Sequence, residues 1–133
     1  MEFPAEIDHL PEMLAFIRFA VQQTGISEEK LYKVELASEE ALVNIISYAY
    51  PEKKQNRLHI DCQTKPGRRF EVTIRDQGLP FNPIDADIDV DIHQPIEERK
   101  IGGLGIFMIR KLIDEVSYQR VGEENVFKMV TIL

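Results

Sequence analysis

The sequence predicts an α+β fold: a two-layer sandwich in which helices cover one face of a mixed, mostly antiparallel sheet. Three observations carry this. Two segments before residue 51 show apolar residues at helical spacing. Two alternating runs, Leu58-Ile60-Cys62 and Phe70-Val72-Ile74, are separated by Thr64-Lys65-Pro66-Gly67 and read as a hairpin with one buried face. Two further strand-like runs, Val116 to Val121 and Val126 to Leu133, close the chain around the turn Gly122-Glu123-Glu124-Asn125. Helices and antiparallel strands in this order pack as two layers.

The 133 residues suggest one domain, spanning 1–133. Met1 to Glu6 forms at most a strand stub ending at Pro4. From about His9 to Thr24, Leu10, Met13, Leu14, Ile17, Ala20 and Val21 recur at three and four. Pro11 suits a first helical turn and Gly25 a stop. This apolar stripe could serve the core or a dimer partner. A second helix spans Ser27 to Tyr50. Ser27 is an N-cap, Glu28 and Glu29 favour the positive end of the dipole, and Pro51 ends the segment. Its main stripe is Leu31, Val34, Ser38, Ala41, Ile45 and Ala49. A third helix runs from Ile106 to about Glu115, with Phe107, Ile109, Leu112, Ile113 and Val116 on its buried side. Between Phe81 and Ile101 no period appears. Two prolines and alternating aspartates, Asp85 to Asp91, suggest a solvated loop long enough to be a lid over a site.

Composition narrows the function. Hydrophobic residues make up 44% of the chain, enough for a core. Net charge is -7, and no basic cluster exceeds Lys53-Lys54 or Arg68-Arg69, which argues against nucleic-acid binding through a basic face. The single Cys62 excludes an internal disulfide and fits a reducing compartment; in its alternating run it reads as a packed strand thiol. His9, His59 and His93 follow no zinc-ligand spacing, and no serine sits in a Gly-x-Ser-x-Gly elbow. The aspartates of the long loop lack the glycine and final glutamate of an EF-hand. No signal peptide or membrane span is apparent, so the expectation is a cytoplasmic protein.

Three stretches could carry chemistry. Glu40 and Asn44 are four apart on the second helix and share a flank with Leu36 and Val43. On spacing alone they read more readily as a solvated glutamate beside a surface asparagine. A functional reading makes Asn44 a hard oxygen ligand for Mg²⁺ and Glu40 a proton acceptor. Asp76, followed by Gly78, stands where a strand ends; it could accept a hydrogen bond from an exocyclic amine, although Asp-x-Gly also marks ordinary turns. Gly102-Gly103-Leu104-Gly105 opens the third helix. There backbone N–H groups and the helix dipole attract phosphate, although glycines at a helix start also serve packing alone.

In order, Glu40-x-x-x-Asn44, Asp76-x-Gly78-x-Pro80-Phe81 and Gly102-Gly103-Leu104-Gly105 resemble the N, G1 and G2 boxes of the histidine-kinase-like ATPases. More narrowly, Glu35 to Asn44 and Gly102 to Val116 resemble the bacterial anti-sigma regulatory factors that act as serine-protein kinases. The resemblance covers nearly the whole chain. It implies ATP or ADP with Mg²⁺ as ligands, Asn44 on the metal, Glu40 as general base and Asp76 on adenine N6, with Gly78 letting the base approach. It places Gly102, Gly103, Leu104 and Gly105 at the phosphates and residues 84–101 in an ATP lid. It also implies a homodimer, with an antagonist protein bearing an acceptor serine, or a sigma factor, as partner. A module that sequesters a regulator without phosphorylating it is the alternative. A detached histidine-kinase domain is disfavoured, because no histidine lies in a helical dimerisation segment. The chain departs from the family in two places. Little precedes Pro4, and Glu124-Asn125-Val126 stands where the superfamily often has Gly-Thr, which puts one phosphate contact in doubt.

Overall fold

The computed structural model describes residues 1–50, 56–83 and 109–133. Five strands, β1 (Glu2–Pro4), β2 (Arg57–Lys65), β3 (Arg69–Asp76), β4 (Glu115–Val121) and β5 (Glu124–Ile132), form one sheet in the order β1-β2-β3-β5-β4. Every described pairing is antiparallel. The helices α1 (Leu10–Gln22) and α2 (Glu28–Tyr48) supply the second layer.

Period-two alternation decides what the sheet buries. Leu58 and Ile60 of β2, Phe70, Val72 and Ile74 of β3, and Phe127 and Met129 of β5 join Met13, Ile17 and Val21 of α1 and Val34, Ala41 and Ile45 of α2 in one core. The opposite face carries cross-strand ion pairs instead: Lys128–Glu71, Arg75–Glu124 and a two-pronged Arg69–Glu115 pair. The apolar stripe of α1 is therefore core at Met13, Ile17 and Val21. The strand stub is real: β1 pairs with β2, and Phe3 meets Phe16 of α1 edge-on at 5.9 Å.

Both helix starts follow their signals. Pro11 lies in the first turn of α1, after a 3-10 turn at Ile7–His9. Ser27 caps α2, its hydroxyl accepting from Lys30 N at 3.3 Å. Gly25 takes φ +73° between the helices, a left-handed conformation that suits glycine. α2 ends at Tyr48, with Ala49 as C-cap, so it stops short of Pro51, which lies outside the described residues.

Two boundaries differ from expectation. Thr64 and Lys65 belong to β2, because Thr64 pairs with Phe70 and Lys65 with Arg69; the bend narrows to Pro66, Gly67 and Arg68. The third helix does not reach Glu115. Residues 109–112 are helical, and Glu115 opens β4. Ile109, Leu112, Ile113 and Val116 have helical spacing, but Val116 pairs with Met129 in the sheet, and the Arg69 guanidinium holds Glu115. Non-local pairing overrides the local period here.

Candidate functional site

The Glu40–Asn44 flank of α2 is not a wet surface. Asn44 is only 1% exposed, Glu40 is half-buried, and Glu39 next to it is exposed. Among the described residues, Asn44 Nδ2 has no hydrogen-bond partner. A buried amide left unpaired costs about 1–3 kcal/mol, so its retention needs a reason. The two ends of a carboxamide exchange by a flip, and the same position can present Oδ1 to a cation. Mg²⁺ takes hard oxygen ligands and keeps several waters beside phosphate oxygens, so a single carboxamide oxygen is a donor that fits it. The other orphaned atom, Ser38 Oγ, lies on the buried stripe of α2 between Val34 and Ala41.

Glu40 lies one turn before Asn44. Burial pushes its pKa above the usual carboxylate value, and repulsion from Glu39 adds to this. A carboxylate moved toward neutrality is a better proton acceptor than an ordinary surface glutamate.

Asp76 ends β3 at 3% exposure. Its Oδ1 accepts from Gly78 N and from Asn125 Nδ2, each at 2.9 Å. Burial raises the Asp76 pKa, while Asn125, Gly78, Tyr50 and the nearby Arg120 charge each oppose the rise. Tyr50 pays for this company: burial and then the Asp76 charge push its phenol upward.

The Asp76 turn is fastened to the end of α2. Leu79 N donates to Ala49 O at 2.9 Å, and a Cβ built on Gly78 would lie 2.5 Å from that same oxygen. Contact with Ala49 is thus a packing reason for glycine at 78. Tyr48 and Phe81 add a second contact, with ring centroids 5.6 Å apart and planes at 33°. Asn44 precedes Ala49 by five residues, about 7.5 Å along the helix axis. The Asp76 turn is thus tied to the C-terminal end of the helix that carries Glu40 and Asn44. Tyr48, four residues after Asn44, meets Phe81 at this junction. Gly102, Gly103, Leu104 and Gly105, the lid at 84–101 and the start of the third helix lie outside the described residues.

A cleft of about 620 Å³ also touches Tyr50, Asp76 and Gln77, but its other walls include the paired side chains Glu2–Arg57 and Arg75–Glu124. Neither Asn44 nor Glu40 borders it. It is not the space for a ligand reaching from Asp76 to Asn44.

Tyr48, Tyr50 and Arg120 escape sequence reasoning, which marks Asn125 only as part of a departure from the family pattern and misses its contact with Asp76. Asn125 had one signal. It stands in the buried register of β5, two before Phe127 and four before Met129, where a polar residue needs partners. Cys62 is half-buried, and its thiol is pushed up to about 12 by burial and Asp61, which suits packing and not nucleophilic attack. No described helix is long and apolar enough to cross a membrane.

Known proteins agree with this architecture. The chain is 28% identical over 120 residues to a serine-protein kinase, RsbW, of Halalkalibacterium halodurans, covering 87% of this chain and 72% of that one. It is 27% identical over 126 residues to the serine-protein kinase RsbW of Bacillus subtilis, covering 90% and 76%. Among solved structures, a blue-light activated histidine kinase of Erythrobacter litoralis superposes with TM-score 0.60 at 19% identity. That match covers 81% of this chain and 32% of the kinase. The histidine kinase domain from the same protein gives TM-score 0.60 at 17% identity, covering 93% of this chain and 61% of the domain chain. A family model described as a histidine kinase-like ATPase domain matches residues 3–131, and the chain belongs to that family.

Proposed function

We propose that the protein is a cytoplasmic serine-protein kinase and anti-sigma regulatory factor. It binds Mg-ATP and phosphorylates a serine on a small antagonist protein in a partner-switching pathway. The observation that carries this reading is the buried Asn44 side chain, its Nδ2 without a partner among the described residues, one helical turn from Glu40 on a helix whose end holds the Asp76 turn.

In this reading Asp76 accepts a hydrogen bond from the adenine 6-amino group, and the Tyr48–Phe81 pair faces the flat base. Asn44 would hold Mg²⁺ through its carboxamide oxygen, and residues 102–105 would receive the phosphates. The metal, when bound, neutralises phosphate charge. Glu40 accepts the proton of the attacking serine hydroxyl. The serine Oγ–phosphorus bond forms, the bond from the γ-phosphorus to the β–γ bridging oxygen breaks, and ADP departs. Positioning and charge neutralisation dominate such transfers, and general-base help adds about 10²–10⁴-fold. The acidic chain contacts regulators, an antagonist or a sigma factor, and not nucleic acid. It acts as a homodimer, which light scattering at micromolar concentration checks: a monomer mass removes that part.

Calorimetric titration with ADP and ATP, each with Mg²⁺ or with a chelator, tests nucleotide binding. Saturable adenine-nucleotide binding, weakened by the chelator for ATP, is expected. No binding at millimolar nucleotide overturns the proposal. Nucleotide binding with partner capture but no phosphoserine leaves the sequestering module instead.

A further inference from the structure

Asn125 is 1% exposed, and every polar atom of its side chain is engaged. Its Nδ2 donates to Asp76 Oδ1 at 2.9 Å and to Leu79 O at 2.8 Å. Its Oδ1 accepts from Phe81 N at 3.3 Å, Tyr118 OH at 2.5 Å and Arg120 Nη1 at 3.1 Å. The amide has one workable orientation. Flipped, its oxygen would face a carboxylate and a carbonyl, and its NH₂ would face three donors. A cationic donor on the oxygen also polarises the amide and strengthens its N–H donation to Asp76.

Gly78 N and Asn125 Nδ2 thus occupy Oδ1 of Asp76 together, and the Tyr50 hydroxyl also interacts with the carboxylate. The carboxylate cannot turn without breaking both bonds. Asn125 also grips the turn itself, through Leu79 O and Phe81 N, while Arg120 Nη1 holds Gly78 O at 2.8 Å. Asn125 faces Asp76 across the β3–β5 ladder.

We infer that Asn125 is a positioning residue that locks the Asp76 carboxylate as an acceptor toward the base, which makes the site demand a 6-amino purine. This rests on the reading of Asp76 as the base contact. A 6-oxo purine sets an acceptor against the locked carboxylate. The loss of one charge-assisted buried hydrogen bond corresponds to about tenfold to a hundredfold in affinity.

The test is calorimetry with ADP and with IDP, which differ at position 6, on wild type and on Asn125→Asp. That substitution keeps the shape but replaces the N–H facing Asp76 with a carboxyl oxygen. Two carboxyls in contact share a proton, so the pair can donate as well as accept. Wild type should prefer ADP by about tenfold to a hundredfold, and in Asn125→Asp that ratio should fall by about tenfold. Asn125→Ser, whose hydroxyl is too short to hold Asp76, is read in the same way if circular dichroism shows Asn125→Asp unfolded. Equal weakening of both nucleotides, with the ratio unchanged, means that Asn125 only supports the fold and overturns the inference. A wild type that binds both nucleotides equally, or neither, removes the base-contact reading itself.

Discussion

Replacing Gly78 with alanine would set a methyl carbon 2.5 Å from Ala49 O, 2.9 Å from Ala49 Cβ and 3.0 Å from the Ala49 carbonyl carbon. None of these atoms belongs to a flexible side chain, so the clash cannot be relieved by a rotamer change. Either the Asp76 turn or the end of α2 must move. Overpacking of this kind costs about 1–3 kcal/mol. The Leu79 N–Ala49 O hydrogen bond stands between the same two segments and is lost with the movement, adding about 0.5–1.5 kcal/mol. The sum is a loss of about 1.5–4.5 kcal/mol. At a urea slope of about 1.5 kcal/mol per M, the unfolding midpoint falls by about 1–3 M. Equilibrium urea unfolding of Gly78→Ala beside wild type, without ligand, reads this directly. A midpoint within about 0.3 M of wild type would refute the packing argument. If nucleotide affinity were nonetheless lost, the glycine would be needed for approach of the base instead.

Three other outcomes follow from the same region. Asp76→Asn keeps an acceptor for Gly78 N and Asn125 Nδ2 and removes a buried charge; it should weaken ADP binding in calorimetry without lowering stability at pH 7. The sign follows from the raised Asp76 pKa: its stabilising contribution is full below the unfolded value near 3.8 and is lost as pH rises through the higher folded value. Wild type should therefore lose stability relative to Asp76→Asn across that interval in urea titrations at stepped pH, and parallel profiles would contradict this. Asn44→Ala removes a buried Nδ2 that has no partner among the described residues, so unfolding should shift by less than about 1–2 kcal/mol while Mg-ATP affinity, measured by calorimetry, falls.

Local signals disclosed much of the fold. Pro11, Gly25 and Ser27 marked the helix ends because their reasons lie within a few residues. The β2–β3 hairpin was legible because its alternation and its turn are adjacent. The Asp76 turn showed for the same cause. The end of the third helix was not legible, since what moves Val116 into a strand is Met129, thirteen residues later, and Glu115 answers to Arg69. Glu40 and Asn44 could be paired by spacing, but spacing did not say that Asn44 is buried with its Nδ2 unmatched among the described residues. The contact of Asn125 with Asp76 was the main omission. Asn125 read as the end of a turn, and its partner Asp76 is 49 residues away, a contact that exists only once β3 and β5 pair.

Single-turnover transfer of labelled phosphate from ATP to the partner that the protein binds in its native cell tests the central claim most directly. Wild type should place the label on a serine. Glu40→Gln, which keeps the shape and removes the proton acceptor, should still bind nucleotide and transfer about 10²–10⁴-fold more slowly. Glu39→Gln, exposed and a quarter-turn away, should transfer as wild type does. Transfer by Glu40→Gln at the wild-type rate would contradict Glu40 as the base, and a bound partner that wild type never labels would contradict the kinase.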